Sequence, residues 1–317
     1  MRIPTGSTQP PEPSAPTRNA RVGVIGAGRV GAVVGAALRE AGYPIAAVAG
    51  ESTASRTRIQ NLLPGVRVDK PTAVARSCDL LLLTVPDDML ANVAAMLSAS
   101  GAIRPGQVVV HTSGKHGLAV LEPAAARGAR VLAMHPALTF TGTGVDLARL
   151  PGCVYGVTAT PDTRPLAEQI AADLDGSVMW VPEAGRPLYH GALAHGANHL
   201  VTLVAQAMEL LEEAGVSDPA ATLRPLLTAA LDNALAVGDA ALTGPIVRGD
   251  VETVRAHLRD IAATAPDTLE SYVALARATA NRAVLDGRLL PIRAAKLVRL
   301  LDDTVRAVPS RPADRAP

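Results

Sequence analysis

Three observations predict a doubly wound α/β sheet followed by an all-α C-terminal domain. Short apolar runs alternate with amphipathic stretches from Val22 to Val181, the pattern of strands buried on both faces and joined by crossover helices. The first run, Val22 to Ile25, leads into Gly26, Gly28 and Gly31 in G-x-G-x-x-G spacing. From Pro182-Glu183 to about Val308 every segment reads as helix.

That glycine spacing between strand and helix makes the sheet Rossmann-like. The first glycine allows the tight turn, the second lets a pyrophosphate approach the backbone, and the third lets helix and strand pack closely. The helix from Val30 to Ala41 adds free N–H groups and a partial positive charge. Gly26, Gly28, Arg29, Val30 and Gly31 are therefore expected to hold a dinucleotide. A turn at Gly42-Tyr43-Pro44 leads to a second strand, Ile45 to Ala49. The residues after this strand choose the cofactor. Glu51 suits the ribose hydroxyls of NAD, while Ser52, Thr53, Ser55 and Arg56 together resemble a phosphate site. The balance favours NADP, held by Ser52 and Arg56, with NAD as the alternative.

Val66 to Val68 is a short strand candidate, and Asp79 to Val85 a central strand. Ligands bind outside the carboxyl ends of such strands, which places Thr84, Val85 and Pro86 near the cofactor. Asp87 and Asp88 read as caps for the helix from Met89 to Leu97. The strand from Gln107 to Thr112 ends in Ser113-Gly114, and Ser113 is expected to touch cofactor. Arg130 to Met134 is followed by His135, which Pro136 holds extended toward the cleft. Cys153 to Thr158 and Val178 to Val181, separated by a helix from Asp162 to Asp175, extend the sheet; Trp180 reads as a packing residue at its edge.

The helical part begins with a long apolar stretch, Arg186 to Ala214. Its length suits a membrane span, but His190, His195, Asn198, His199 and Gln206 favour a core helix with a polar stripe. Arg186, His190, Ala194 and Asn198 recur every four residues and so are expected on one face. His195 and His199 have metal-ligand spacing, but no third ligand accompanies them and no metal is expected. A second helix runs from Asp218 to Val237. The loop Leu242 to Asp250 presents Arg248 to an anion, and Asp250 reads as the N-cap of Val251 to Ala262. Helices from Thr268 to Ala283 and Ile292 to Ala307 complete the chain. The expected organisation is a Pro-rich tail (1–19), a dinucleotide-binding domain (20–182), a helical substrate and dimerisation domain (183–308) and a second tail (309–317).

Composition narrows the partners. The 317 residues carry a net charge of +1 and only 2% aromatic residues, which excludes a nucleic-acid or anionic-membrane surface. Cys78 and Cys153 have neither metal nor disulfide spacing and read as buried, inert thiols of a reducing compartment. Met1 to Ala20 lacks the apolar region of a signal peptide, so a cytoplasmic location is expected. The expected partners are a small anionic substrate and, through the apolar helices, a second copy in a homodimer.

Taken together, these motifs resemble a family of oxidoreductases, assigned by sequence, that join a Rossmann-like domain to a helical C-terminal domain of unknown function. The family lies in the superfamily of 6-phosphogluconate dehydrogenase, ketopantoate reductase and pyrroline-5-carboxylate reductase. The resemblance rests on Gly26 to Gly31, Val85-Pro86-Asp87, His111-Thr112-Ser113-Gly114, and Met134-His135-Pro136 with Phe140. It rests further on Tyr189-His190 with Asn198, and on Leu242-Thr243-Gly244-Pro245 with Arg248-Gly249-Asp250. It implies an NADP-dependent enzyme, and some members are thought to reduce ketopantoate. The chain departs from the better-known relatives. Arg186, Tyr189 and His190 stand where ketopantoate reductases place a catalytic Lys, and an Arg is a poor proton donor. The Ser/Gly signature of pyrroline-5-carboxylate reductases and the Lys-x-x-Asn motif of β-hydroxyacid dehydrogenases are absent.

The expected function is therefore reduction of a small 2-oxo acid or related carbonyl compound with NADPH. Imidazole titrates near neutral pH, which makes His190 the expected general acid, with Tyr189 in reserve. Asn198 is expected to orient the substrate, and Arg248, in the loop closed by Asp250, to clamp its carboxylate. The alternatives are a non-catalytic NADP(H) sensor, a reductase of a cyclic imine, or an enzyme working in the oxidising direction.

Overall fold

The computed structural model describes residues 19–307; the two tails expected from the sequence lie outside the described residues, apart from Asn19. The chain folds into two compact units, one ending at Ala197 and the other beginning at Asn198.

The first unit contains β1 (Val22–Ile25), α1 (Arg29–Glu40), β2 (Ile45–Ala49), α2 (Thr53–Leu62), α3 (Pro71–Ser77), β3 (Leu80–Leu83) and α4 (Asp87–Ala99). It continues with β4 (Val108–His111), α5 (Glu122–Ala125), β5 (Arg130–Pro136), α6 (Val145–Arg149), β6 (Val154–Ala159), α7 (Arg164–Asp173), β7 (Ser177–Trp180) and α8 (Arg186–Leu193). The seven strands form one sheet in the order β2-β1-β3-β4-β5-β6-β7. Alternate residues of its strands enter two separate cores: Val22, Leu82, Val110 and Met134 on one face, and Ile25, Leu81, Val109 and Val131 on the other. Burial on both faces explains the near-continuous apolar runs. The chain reverses direction across the sheet at β1, between β2 and β3, so a crevice opens outside the carboxyl ends of β1 and β3.

Several elements depart from the sequence reading. Val66 to Val68 forms only a single bridge, Val48 to Val68. β6 pairs antiparallel with β5, with His135 opposite Gly156, which sets the start of β6 beside the end of β5. Asp87 and Asp88 lie in the first turn of α4 but make no capping bond there; their charge suits the helix dipole instead. Trp180 does lie on the edge strand, with the Arg164 guanidinium 4.9 Å from its ring centre.

The long helix expected from Arg186 to Ala214 is broken. α8 ends at Leu193 and a π-helical turn occupies Ala194–Asn198 before α9 (His199–Glu213). A π turn inserts an extra residue into the helical period, so the four-residue repeat from Arg186 to Asn198 does not run through. The first unit accordingly extends beyond Pro182-Glu183 and takes in α8.

The second unit contains α9, α10 (Pro219–Val237), α11 (Pro245–Arg248), α12 (Val251–Thr264), α13 (Pro266–Leu285) and α14 (Pro291–Ala307). Its core is built by α11 to α14, from Ile246, Val254, Leu258, Val273, Ala280 and Leu297. Asp250 caps α12 as expected, accepting from Thr253 N at 3.1 Å and Thr253 Oγ1 at 2.7 Å.

Gly31 packs so closely that a Cβ there would collide with Gly26 O and Thr84 Oγ1. Gly31→Ala should therefore destabilise the chain by about 1–3 kcal/mol, read as a lowered urea midpoint at unchanged slope.

Candidate active site

The glycine turn has the geometry its sequence requires. Gly26 adopts φ +100°, and a Cβ there would lie 2.7 Å from the Thr84 carbonyl carbon, so only glycine fits. Thr84 Oγ1 donates to Gly26 O at 2.6 Å and fixes the turn. Gly28 faces open space, and no side chain caps α1. Arg29, Val30 and Gly31 are the first residues of that helix, so its N–H groups point at the opening beside Gly28. The loop Thr141–Thr143 packs against Arg29: a Cβ on Gly142 would lie 3.1 Å from Arg29 Cα and 2.6 Å from Arg58 Nε. The fully buried Asp146 carboxylate holds this loop, accepting from Gly142 N at 2.7 Å and Thr141 N at 2.9 Å.

At the end of β2 lies a cleft of about 540 Å³ lined by Gly50, Glu51, Arg56, Asp69 and Lys70, among others. Arg56 is exposed within it. Ser52 caps α2, its Oγ accepting from Ser55 N at 3.1 Å and donating to Ser55 Oγ at 2.9 Å. Lys70 was not anticipated; it lies far from Arg56 in sequence, and only the turn before α3 brings both to the same cleft.

A second cluster forms where β4, β5 and β6 meet α8. Arg186 is completely buried. Its Nε donates to Thr158 Oγ1 at 2.8 Å, Nη1 to Ser113 O at 3.0 Å, and Nη2 to Ala133 O and Gly156 O at 3.0 Å each. No carboxylate hydrogen-bonds to it: carbonyl and hydroxyl dipoles take that place, with the Glu183 carboxylate acting only at longer range. Glu183 braces the entry to α8, accepting from Leu118 N at 2.7 Å and Ala119 N at 3.1 Å.

One turn beyond Arg186 come Tyr189 and His190. Tyr189 Oη and His135 Nδ1 share a hydrogen bond of 2.9 Å. The His135 and His190 rings stand edge to face, 6.1 Å apart. Three glycines make this approach possible. A Cβ on Gly156 would strike the Tyr189 hydroxyl, one on Gly114 the His190 ring, and one on Gly117 the Glu183 carboxylate. Ser113 is buried; its Oγ accepts from His116 N at 3.2 Å and its carbonyl holds Arg186. Val85 and Pro86 lie at the end of β3, where Pro86 starts α4.

Burial, with Arg186 and His190 nearby, lowers the His135 pKa to about 4. Burial chiefly lowers that of His111 to about 4 as well. His111 is locked in one tautomer: Nδ1 accepts from Ser113 N at 3.2 Å, so Nε2 donates to Gly117 O at 2.8 Å. Burial raises the Tyr189 pKa, so its hydroxyl keeps its proton at neutral pH. Cys78 and Cys153 are buried as expected, and burial pushes their thiols up to about 11.

Of the residues singled out in the sequence, Tyr189 and His190 come together, and His135 joins them. Asn198, Arg248 and Asp250 belong to the second unit. There Arg248 is exposed at the end of α11, where Gly249 packs on Leu289 and Arg293. Among the described residues, no cluster of three or more His, Cys, Asp or Glu is placed to hold a metal.

Residues 7–136 match the Rossmann-like domain family, and residues 153–279 match a domain of unknown function, DUF2520. No curated protein matches the chain. Solved structures of similar fold include a Bacteroides fragilis protein provisionally described as an NADP oxidoreductase. It is 22% identical, with a TM-score of 0.71, over 83% of this chain and 99% of that one. A reductive aminase from Aspergillus terreus, solved with NADPH and ethyl levulinate, is 20% identical, with a TM-score of 0.60, over 90% and 99%. Pyrroline carboxylate reductase from Plasmodium falciparum, solved with NADP, is 10% identical, with a TM-score of 0.57, over 90% and 99%.

Two outcomes follow from the buried cluster. Arg186→Met should cost at least about 3 kcal/mol, because it strands four buried acceptors, and Arg186→Lys should recover little of it, because an ammonium cannot reproduce the planar fork; urea unfolding of both variants measures this. His111 and His135 are depressed in the folded chain, so the unfolded chain binds more protons between pH 6.5 and about pH 4. Stability should fall as pH drops through that window, and His135→Gln should flatten part of the slope.

Proposed function

We propose that this chain, a Rossmann-like domain joined to a DUF2520 domain, is an NADP-dependent reductase of a small carbonyl compound or imine. The observation that carries the reading is the Tyr189–His135 hydrogen bond at the carboxyl end of β5. It sets a protonated hydroxyl on the same sheet edge as the Gly26–Gly31 turn, since β1, β3, β4 and β5 are parallel.

The residues fit the cofactor. Gly28 leaves room for a pyrophosphate, the uncapped start of α1 supplies N–H donors, and Arg56 with Lys70 offers two cations to a ribose phosphate. The fold relatives solved with NADP or NADPH lend this reading support. When bound, the reduced nicotinamide supplies hydride.

The chain's own residues supply the proton and the field. Tyr189 gives its proton to the oxygen or nitrogen that gains charge. His135, neutral at working pH, orients the hydroxyl through Nδ1, and the proton that Tyr189 gives up is restored from solvent once product leaves. His190 stands beside them as a second hydrogen-bonding group, which shifts the leading role from His190 to Tyr189. The Arg186 charge, one turn away, favours a developing oxyanion or an anionic substrate. A 2-oxo acid such as ketopantoate has that character; a cyclic imine carrying a carboxylate shares it.

The direct assay is NADPH oxidation with ketopantoate, then with a panel of 2-oxo acids and cyclic imines, with NADPH binding measured on the same sample. Tight NADPH binding without turnover on any of them would favour a sensor. Tyr189→Phe should lower kcat on the order of 10²–10⁴-fold with the NADPH Kd unchanged, while an unchanged kcat removes Tyr189 from the mechanism. Arg56→Ala should weaken NADPH by about tenfold or more and leave NADH binding unaltered; equal losses would return Arg56 to an ordinary surface role.

A further inference from the structure

The second unit holds a cleft of about 340 Å³ between α9, the start of α11 and α13. Every residue lining it belongs to that unit, and none of the groups assigned to the reduction is among them. Its size falls in the range of about 300–1,000 Å³ typical of small-molecule sites. On α9 Leu203, Gln206, Ala207 and Leu210 line it, the spacing of one helix face. On α13 Thr268, Ser271 and Tyr272 face it in the same way.

The inward face of a helix is ordinarily apolar. Here it carries more donors and acceptors than the chain itself uses. Thr268 is only 6% exposed, yet its Oγ1 has no hydrogen-bond partner among the described residues. Ser271 Oγ donates to Gln206 Oε1 at 2.8 Å and to Thr268 O at 2.9 Å. One hydroxyl proton serves one acceptor at a time, so an acceptor is left over. Gln206 Nε2 adds two donors, also without a partner among the described residues. Tyr272 Oη and His257 Nδ1 share a hydrogen bond of 2.9 Å, and burial raises the Tyr272 pKa, so the hydroxyl keeps its proton at neutral pH.

Buried polar groups are nearly always paired, so a surplus gathered in one cleft marks a place for a ligand. No Asp, Glu, Lys or Arg lines the cleft, so nothing there would offset the desolvation of a charged molecule. Leu203, Leu210 and Ile246 offer an apolar wall. We propose that this cleft binds a small uncharged molecule with an apolar body and a carbonyl, amide or hydroxyl group, held by Gln206, Thr268, Ser271 and Tyr272.

The test needs no turnover, so it is independent of the proposed reduction. The full chain is titrated with δ-valerolactam and cyclohexanol as uncharged probes and with cyclohexanecarboxylate as the charged control, read by NMR shifts. Both uncharged probes should shift residues of α9 and α13 saturably, and the carboxylate should not. Gln206→Leu and Thr268→Val should each weaken the lactam by about tenfold. Thr268→Val should not lower the urea midpoint, because the hydroxyl it removes has no partner in the chain. Ala207→Phe, which fills the cleft, should abolish binding. No saturable shift in these helices, equal binding of the carboxylate, or indifference to Gln206→Leu and Thr268→Val would each overturn the proposal. Shifts that follow protein concentration instead of probe would give the cleft to a second copy and overturn it too. If Ala207→Phe loses its helical circular dichroism, the two hydrogen-bond variants decide.

Discussion

A guanidinium hydrogen-bonded to no acid, sealed beneath α8, governs the arrangement of the candidate active site. Burying a charge is expensive unless dipoles replace the lost water. Arg186 finds them in Ser113, Ala133, Gly156 and Thr158, contributed by the end of β4 and by β5 and β6. Those acceptors converge only because β6 runs antiparallel to β5, with Ala133 opposite Thr158 and His135 opposite Gly156. A parallel β6 would carry Gly156 and Thr158 elsewhere. The irregular strand direction is thus the condition for burying Arg186, and burying Arg186 fixes where Tyr189 and His190 emerge one turn later.

The same charge divides labour among the titratable groups. A full positive charge in a region of low dielectric opposes further protonation nearby. His135 responds to burial and to this field by staying neutral, while Tyr189 keeps its proton because burial disfavours a phenolate. The hydrogen bond between them joins a neutral base to a neutral acid, an arrangement that stores a proton without separating charge. In the proposed reaction that proton goes to the substrate atom that gains charge.

Much of the first unit was legible in the sequence because its signals are local. Val22 to Ile25 is apolar at every position, and the glycines after it follow from backbone sterics within a few residues; Asp250 as a cap is equally local. The cluster around α8 was not legible, because its causes are not local. Periodicity cannot tell a parallel strand from an antiparallel one when both are fully buried. Gly114, Gly117 and Gly156 look like ordinary loop and strand glycines until α8 is laid against them. The four-residue spacing puts Arg186 on one helix face with His190, but nothing local says that this face is sealed against β4, β5 and β6. The π turn at Ala194–Asn198 escaped because the apolar composition runs on unbroken from α8 into α9.

The bare α-carbons explain how one sheet edge could serve two purposes. At Gly26 and Gly31 the missing Cβ lets the turn fold onto Thr84, and at Gly28 it leaves space open. At Gly114 and Gly156 it lets two ring side chains settle directly on the backbone. Both devices bring a reactive group or a ligand closer to the strand ends than any side chain would allow, and both cost backbone entropy. That cost is tolerable here because β1, β3 and β4 are buried at every residue, so the apolar strands hold rigid the glycine turns that end them. The division of sequence into apolar strands and glycine-bearing exits is therefore one design: the strands supply stability, and their exits use it to position chemistry.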